Sequence, residues 1–130
     1  MTLLAIDGPA GAGKTTLAAQ LHAEYSVDST VRTIHMDELY NGWDGALGQS
    51  LTDALQAITS AHLSGLTHTI KIFNWHLMEF DREEVIDPTD FLILEGVGAA
   101  QKVVREAGAI TYWLDIDNDT GLQRVLARDG

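Results

Sequence analysis

Apolar runs and amphipathic stretches alternate along this chain. TLLAID (2–7) is a short apolar run, the pattern of a buried strand. From Lys14 to Tyr25, Leu17, Leu21 and Tyr25 recur every fourth position with Ala18 beside them, which predicts a helix. VRTIHM (31–36) predicts a second strand, and 46–63 a second helix, with Leu47, Leu51, Leu55, Ile58 and Leu63 near one face. HTIKIF (68–73) alternates and is read as a third strand. FLILE (91–95) is an uninterrupted apolar fourth, AITYWLDI (109–116) a fifth, and a last helix is expected from Thr120 onward.

Strands alternating with helices predict a three-layer α/β/α fold around a five-stranded, mostly parallel sheet. In such sheets ligands bind outside the carboxyl ends of the strands. Asp7, Asp37, Asn74, Glu95 and Asp115 each stand at or just past a predicted strand end, so one polar edge is expected on an apolar sheet.

The first strand runs into GPAGAGKTT (8–16), which fits G-x-x-x-x-G-K-[ST] through Gly8, Gly13, Lys14 and Thr15. Such a loop turns backbone N–H groups inward as an anion nest, and the following helix aims its positive end at the same point. The segment Gly8, Pro9, Ala10, Gly11, Ala12, Gly13, Lys14, Thr15 and Thr16 is thus the expected triphosphate cradle. Lys14 would reach the β- and γ-phosphates and Thr15 would help to hold Mg²⁺; Thr16 either touches the α-phosphate or packs. A dinucleotide fingerprint fits less well, because the third small residue that close helix packing requires is missing.

Charge changes the picture in one respect. Eight Lys and Arg against 19 Asp and Glu leave a formal charge of −11, which makes nucleic acid and anionic membranes poor partners. A phosphate site on such a chain must rest on local donors, a few placed cations and a metal ion. No cysteine occurs, so disulfides and thiolate metal sites are excluded, and the five histidines show no ligand spacing. Without a signal peptide or an apolar stretch long enough to cross a bilayer, the expected location is the cytoplasm. With 130 residues and no linker or repeat, a single domain, 1–130, is expected.

Phosphoryl transfer needs more than the cradle: a carboxylate for the acceptor hydroxyl and cations for the developing charge. Asp37, directly after the second strand, is the best carboxylate, with Tyr40 and Trp43 able to wall an acceptor pocket. The alternative is that Asp37 caps the next helix and the aromatics fill core. Glu95 closes an apolar strand where burial without a partner is costly, so it either supports Mg²⁺ through water or begins a turn at Gly96. Arg124 and Arg128, four apart on the predicted last helix, either reach the transferring phosphate or pair with Asp117 and Asp119 at the surface.

Taken in order and spacing, AIDGPAGAGKTTLA, HMDELYNGW, FLILEGVGA and TYWLDIDNDTGLQRVLARDG resemble the uridine/cytidine kinase group of P-loop nucleoside kinases, in its actinobacterial type. The resemblance covers essentially the whole chain and implies the P-loop NTPase fold with kinase-type strand order 2-3-1-4-5. It implies ATP and Mg²⁺ as cofactors and a nucleoside-like small molecule as phosphate acceptor. By position, Asp37 matches the base for the acceptor hydroxyl, Tyr40 the aromatic near the sugar, and Glu95 the Walker-B-like acid. Arg124 and Arg128 match basic residues leading into a mobile lid. Asn74-Trp75 stands where relatives often carry an aspartate that grips the nucleoside. Related kinases continue past RVLARDG into an arginine-rich lid and an adenine-contacting segment, so a core lacking both is expected here.

Within this class a nucleotide acceptor is the variant reading, since IDGPAG also resembles the opening of cytidylate kinases, but the chain offers few further arginines for a second phosphate. From another class, a regulatory or degenerate nucleotide-binding module without transfer is the alternative.

Overall fold

The computed structural model describes residues 2–9, 13–40, 48–116 and 123–129, with the side chains of 115, 116 and 123–129 left out of the description. The main sheet holds β1 (Thr2–Asp7), β2 (Val31–His35), β5 (Phe91–Glu95), β6 (Ile110–Ile116) and β7 (Gln123–Asp129), side by side in the order β2-β5-β1-β6-β7. The first four are parallel and β7 runs antiparallel to β6. Numbered along the chain among themselves, these five strands run 2-3-1-4-5, with Gln123–Asp129 in the sheet and the expected third strand, 68–73, outside it.

Helices cover both faces because the central strands are apolar on both sides. Leu3 and Ala5 of β1, with Leu92 and Leu94 of β5, join a core under α2 (Gln49–Ser64) and α3 (Lys102–Glu106). Leu4, Ile6 and Ile93 face the opposite way, toward Ala18 and Leu21 of α1 (Lys14–Tyr25), where Tyr25 stacks on Phe91 with ring centroids 4.2 Å apart. In α2 the apolar stripe is Leu51, Leu55 and Ile58, all but excluded from solvent.

Two expectations are corrected. The alternating segment 68–73 is a strand, β3 (His68–Asn74), but it lies outside the main sheet. It pairs antiparallel with β4 (Glu79–Ile86) in a separate two-stranded hairpin. Alternation is the pattern of a strand with one wet face. Ile70 and Ile72 of β3 and Ile86 of β4 enter the core on the α2 side, while most of β4 is exposed. The second correction concerns the chain end. Gln123–Asp129 is strand β7, not a helix, and its backbone pairs with the free edge of β6, so Arg124 stands opposite Asp115 and Arg128 opposite Thr111. An unpaired strand edge offers a row of backbone donors and acceptors, and pairing there overrides helix propensity.

A 3-10 turn, Met36–Glu38, follows β2, and Met36 is fully buried against the loop after β5. At Gly96, with φ +134°, an added Cβ would lie 2.8 Å from Met36 Cβ. Gly96→Ala therefore forces this turn away from β5, at an expected cost of about 1–3 kcal/mol in urea unfolding.

The α2 residue His62 is buried, and its Nε2 lies 3.0 Å from the carbonyl of Thr2. Burial holds its pKa below the usual 6.5, outweighing the hydrogen bond. The folded imidazole therefore stays neutral where the unfolded one protonates. Its stabilising share is complete above about pH 6.5 and declines as pH falls below that. Thermal unfolding between about pH 7.5 and about pH 5.5 should show a steeper loss in the native protein than in His62→Gln.

Candidate active site

The site grows from the carboxyl end of β1. Asp7 ends that strand and accepts three backbone hydrogen bonds, from Gly8 (2.7 Å) and Gly98 (3.2 Å) on Oδ1 and from Ala100 (3.0 Å) on Oδ2. It thereby ties the start of the phosphate loop to the loop after β5. At Gly8, with φ +146°, an added Cβ would stand 2.3 Å from the Leu114 carbonyl oxygen, so the chain can leave β1 this close to β6 only without a side chain. Gly13 caps the amino end of α1, and Lys14 follows as a buried residue whose Nζ donates to the Pro9 carbonyl at 2.8 Å. The ammonium is folded back over its own loop.

Glu95 lies at the floor, 5% exposed. Thr15 Oγ1 donates to its Oε1 at 2.8 Å, and His35 Nδ1 sits 2.6 Å from its Oε2. A buried carboxylate stripped of such partners would cost roughly 3–5 kcal/mol, so these contacts account for its presence at the end of an apolar strand. A turn does begin at Gly96, while the Glu95 side chain is held by these two contacts.

The opposite wall is the 3-10 turn. Asp37 lies within it, exposed, and the amino-terminal cap of α2 is Gly48, so Asp37 is not that helix's cap. Trp75 Nε1 donates to the Asp37 carbonyl at 3.0 Å, bracing the turn from the hairpin. Tyr40 is buried in the α2-side core, and its hydroxyl donates to the Val97 carbonyl. Burial, with the negative charges of Asp7, Asp37 and Glu95 adding to it, pushes the phenol up to about 12. Tyr40 thus remains a neutral donor and a fixed wall. Glu38, half-buried beside Asp37, is also shifted upward, chiefly by burial and against the pull of His35.

These segments enclose an open cleft of about 530 Å³. Lys14, Thr15, Glu95, Asp37 and Tyr40 all line it, together with His35, Glu38, Gly96 and Val97. Five residues singled out in the sequence therefore converge on one space.

Other expected site residues fall elsewhere. Pro9 contributes its carbonyl to Lys14, and Thr16 is exposed on the first turn of α1. Asn74 spends its amide inside the hairpin, donating to Asp81 at 2.6 Å and accepting from the His76 and Leu77 backbones. Ala10, Gly11, Ala12 and Trp43 lie outside the described residues, as do the side chains of Arg124 and Arg128.

Three participants had escaped the reading of the sequence: His35, Glu38 and the Gly96–Val97 loop. His35 ends β2 as Glu95 ends β5, but their adjacency depends on β2 lying beside β5, which local pattern does not encode.

Thr15 and Glu95 offer converging hard oxygen donors beside the lysine of a phosphate loop, a set that suits a magnesium ion arriving with a triphosphate. Among the described residues no group of three or more His, Asp or Glu side chains forms a separate metal site, and no helix is long and apolar enough to cross a membrane.

No known protein-family model matches the chain. A uridine kinase of Brevibacillus brevis is 27% identical over 141 aligned positions, covering 98% of this chain. The chain spans 65% of that relative's length. Among solved structures, a possible uridine kinase from Bacillus stearothermophilus superposes with a TM-score of 0.73 at 22% identity, over 92% of this chain and 73% of that one. In sequence the chain is thus similar to a uridine kinase, and in fold to a possible uridine kinase.

Proposed function

We propose that this protein is an ATP-dependent small-molecule kinase, transferring the γ-phosphate of MgATP to a hydroxyl of a nucleoside-like acceptor. The observation that carries the reading is the cleft itself, lined together by a phosphate-loop lysine, a threonine–glutamate pair and the exposed carboxylate Asp37. Lys14 would leave the Pro9 carbonyl for the β- and γ-phosphates. Thr15 and Glu95 would hold magnesium, whose charge offsets the negative charge of the phosphates. Asp37 would orient the acceptor hydroxyl and take its proton as the oxygen bonds to the γ-phosphorus and the bond to the β-phosphate oxygen breaks, releasing ADP. Arg124, opposite Asp115 at the carboxyl end of β6, is assigned to charge developing on the transferred group; Arg128, opposite Thr111 near the start of that strand, is not.

The acceptor would lie against Tyr40, Trp43 and the Asn74-Trp75 end of the hairpin. Tyr40 would contribute shape rather than a free hydroxyl, since that hydroxyl is committed to Val97. An uncharged acceptor is favoured because the acidic groups Asp37 and Glu38 both line the cleft. The reading places the protein in the cytoplasm, in keeping with a chain that has no cysteine.

One observation favours a second reading, a nucleotide-binding module without transfer. Asn74 is occupied within its hairpin rather than presented to the cleft. Acceptor dependence separates the two. ADP release from MgATP, measured across a panel of nucleosides and small hydroxylated metabolites, should be stimulated by one acceptor. Asp37→Asn should then lower that stimulated rate by about 10²–10⁴ while nucleotide affinity holds. A module without transfer would bind ATP and respond to no acceptor.

Lys14→Ala should weaken triphosphate binding by about 10–100-fold, the worth of one charged hydrogen bond, as read by calorimetry. Retained affinity in that variant would overturn both readings.

A further inference from the structure

Phosphoryl transfer as described leaves one side chain at the floor of the cleft without a task. His35 is the last residue of β2, and the parallel register sets it beside Glu95, the last residue of β5. Its Nδ1 lies 2.6 Å from Glu95 Oε2, while Thr15 Oγ1 lies 2.8 Å from Oε1. An ionised carboxylate only accepts, so Nδ1 carries the hydrogen of this bond. One donor thus grips each oxygen: a strand residue on one and the first turn of α1 on the other.

We propose that His35 is a positioning residue for the magnesium site, holding Glu95 Oε2 so that Oε1 stays turned toward Thr15 and the cation. The proposal rests on the reading of this cleft as a MgATP site. Three features separate this role from ordinary packing. The β2–β5 ladder is already continuous from Val31 with Phe91 to Ile34 with Leu94, so the imidazole is not needed to join the strands. The His35 side chain is 39% exposed against 6% for Glu95, so little core burial depends on it. Among the described residues its hydrogen bond is to the carboxylate whose direction matters. Without His35, Oε2 loses its donor, and the carboxylate can turn from Thr15 toward water in the cleft. Groups that orient a metal-supporting side chain in this way are commonly worth 10–100-fold in metal affinity.

The test uses the whole chain, a non-hydrolysable ATP analogue and Mn²⁺ as the probe, with free Mn²⁺ followed by electron paramagnetic resonance. His35→Ala should weaken Mn²⁺ binding in the analogue complex by about tenfold or more. Analogue affinity in EDTA should not change, which shows that the loop and the fold are intact. His35→Asn places an amide N–H near the position of Nδ1 and should restore most of the loss. The proposal is overturned if His35→Ala binds Mn²⁺ within about twofold of the native protein. It is equally overturned if both variants lose analogue affinity in EDTA, which would make the residue structural. A native protein that binds the analogue with no contribution from Mn²⁺ would instead remove the MgATP reading on which this one stands.

Discussion

A single buried carboxylate holds the working edge of this molecule together. Glu95 ends β5, the strand that lies between β1 and β2, where solvent is nearly absent and an unpaired charge is costly. Its two oxygens are satisfied by Thr15, on the first turn of α1, and by His35, at the end of β2. Meeting that electrostatic demand brings three chain segments, separated by up to 80 positions, to one point. Thr15 and the first turn of α1 cannot move away from Glu95 without breaking their bond to it.

Asp7 and Tyr40 extend the same logic to the loop after β5. Asp7 takes the backbone N–H groups of Gly98 and Ala100, and Tyr40 donates to the Val97 carbonyl. The loop is held from β1 on one side and from the segment bearing Asp37 on the other. Backbone groups that would be orphaned at a strand-to-helix connection are satisfied by side chains already committed to the core. Rigidity at this edge arises from polar groups with no freedom left, and Asp37 stands out because it remains exposed within that frame.

The acidity of the chain is consistent with such a site. With a net charge of −11 the overall field disfavours a triphosphate, and long-range attraction cannot be what recruits one. On the proposed function, recognition would come from contacts that act only at close range: the loop backbone, Lys14 and a cation between oxygens. The buried position of Lys14 beside the loop fits that division between a repelling surface and an attracting centre.

By itself the sequence determined the parts whose cause is local. The phosphate loop follows from residue types that must be adjacent in the chain, and the central strands from apolar runs that any fold must bury. Gly8, Lys14, Thr15, Asp37 and Glu95 were legible for that reason. The remaining features depend on which strand lies beside which. The alternation in 68–73 announced a one-faced strand without saying which sheet it would join, and the hairpin with β4 took it out of the main sheet. The end of the chain reads locally as a helix, yet the open edge of β6 recruits it as β7. His35 could not be placed by spacing, because its meaning lies in a neighbour 60 positions away. Backbone pairing and the satisfaction of buried charge are settled between distant segments, and no local pattern carries that information.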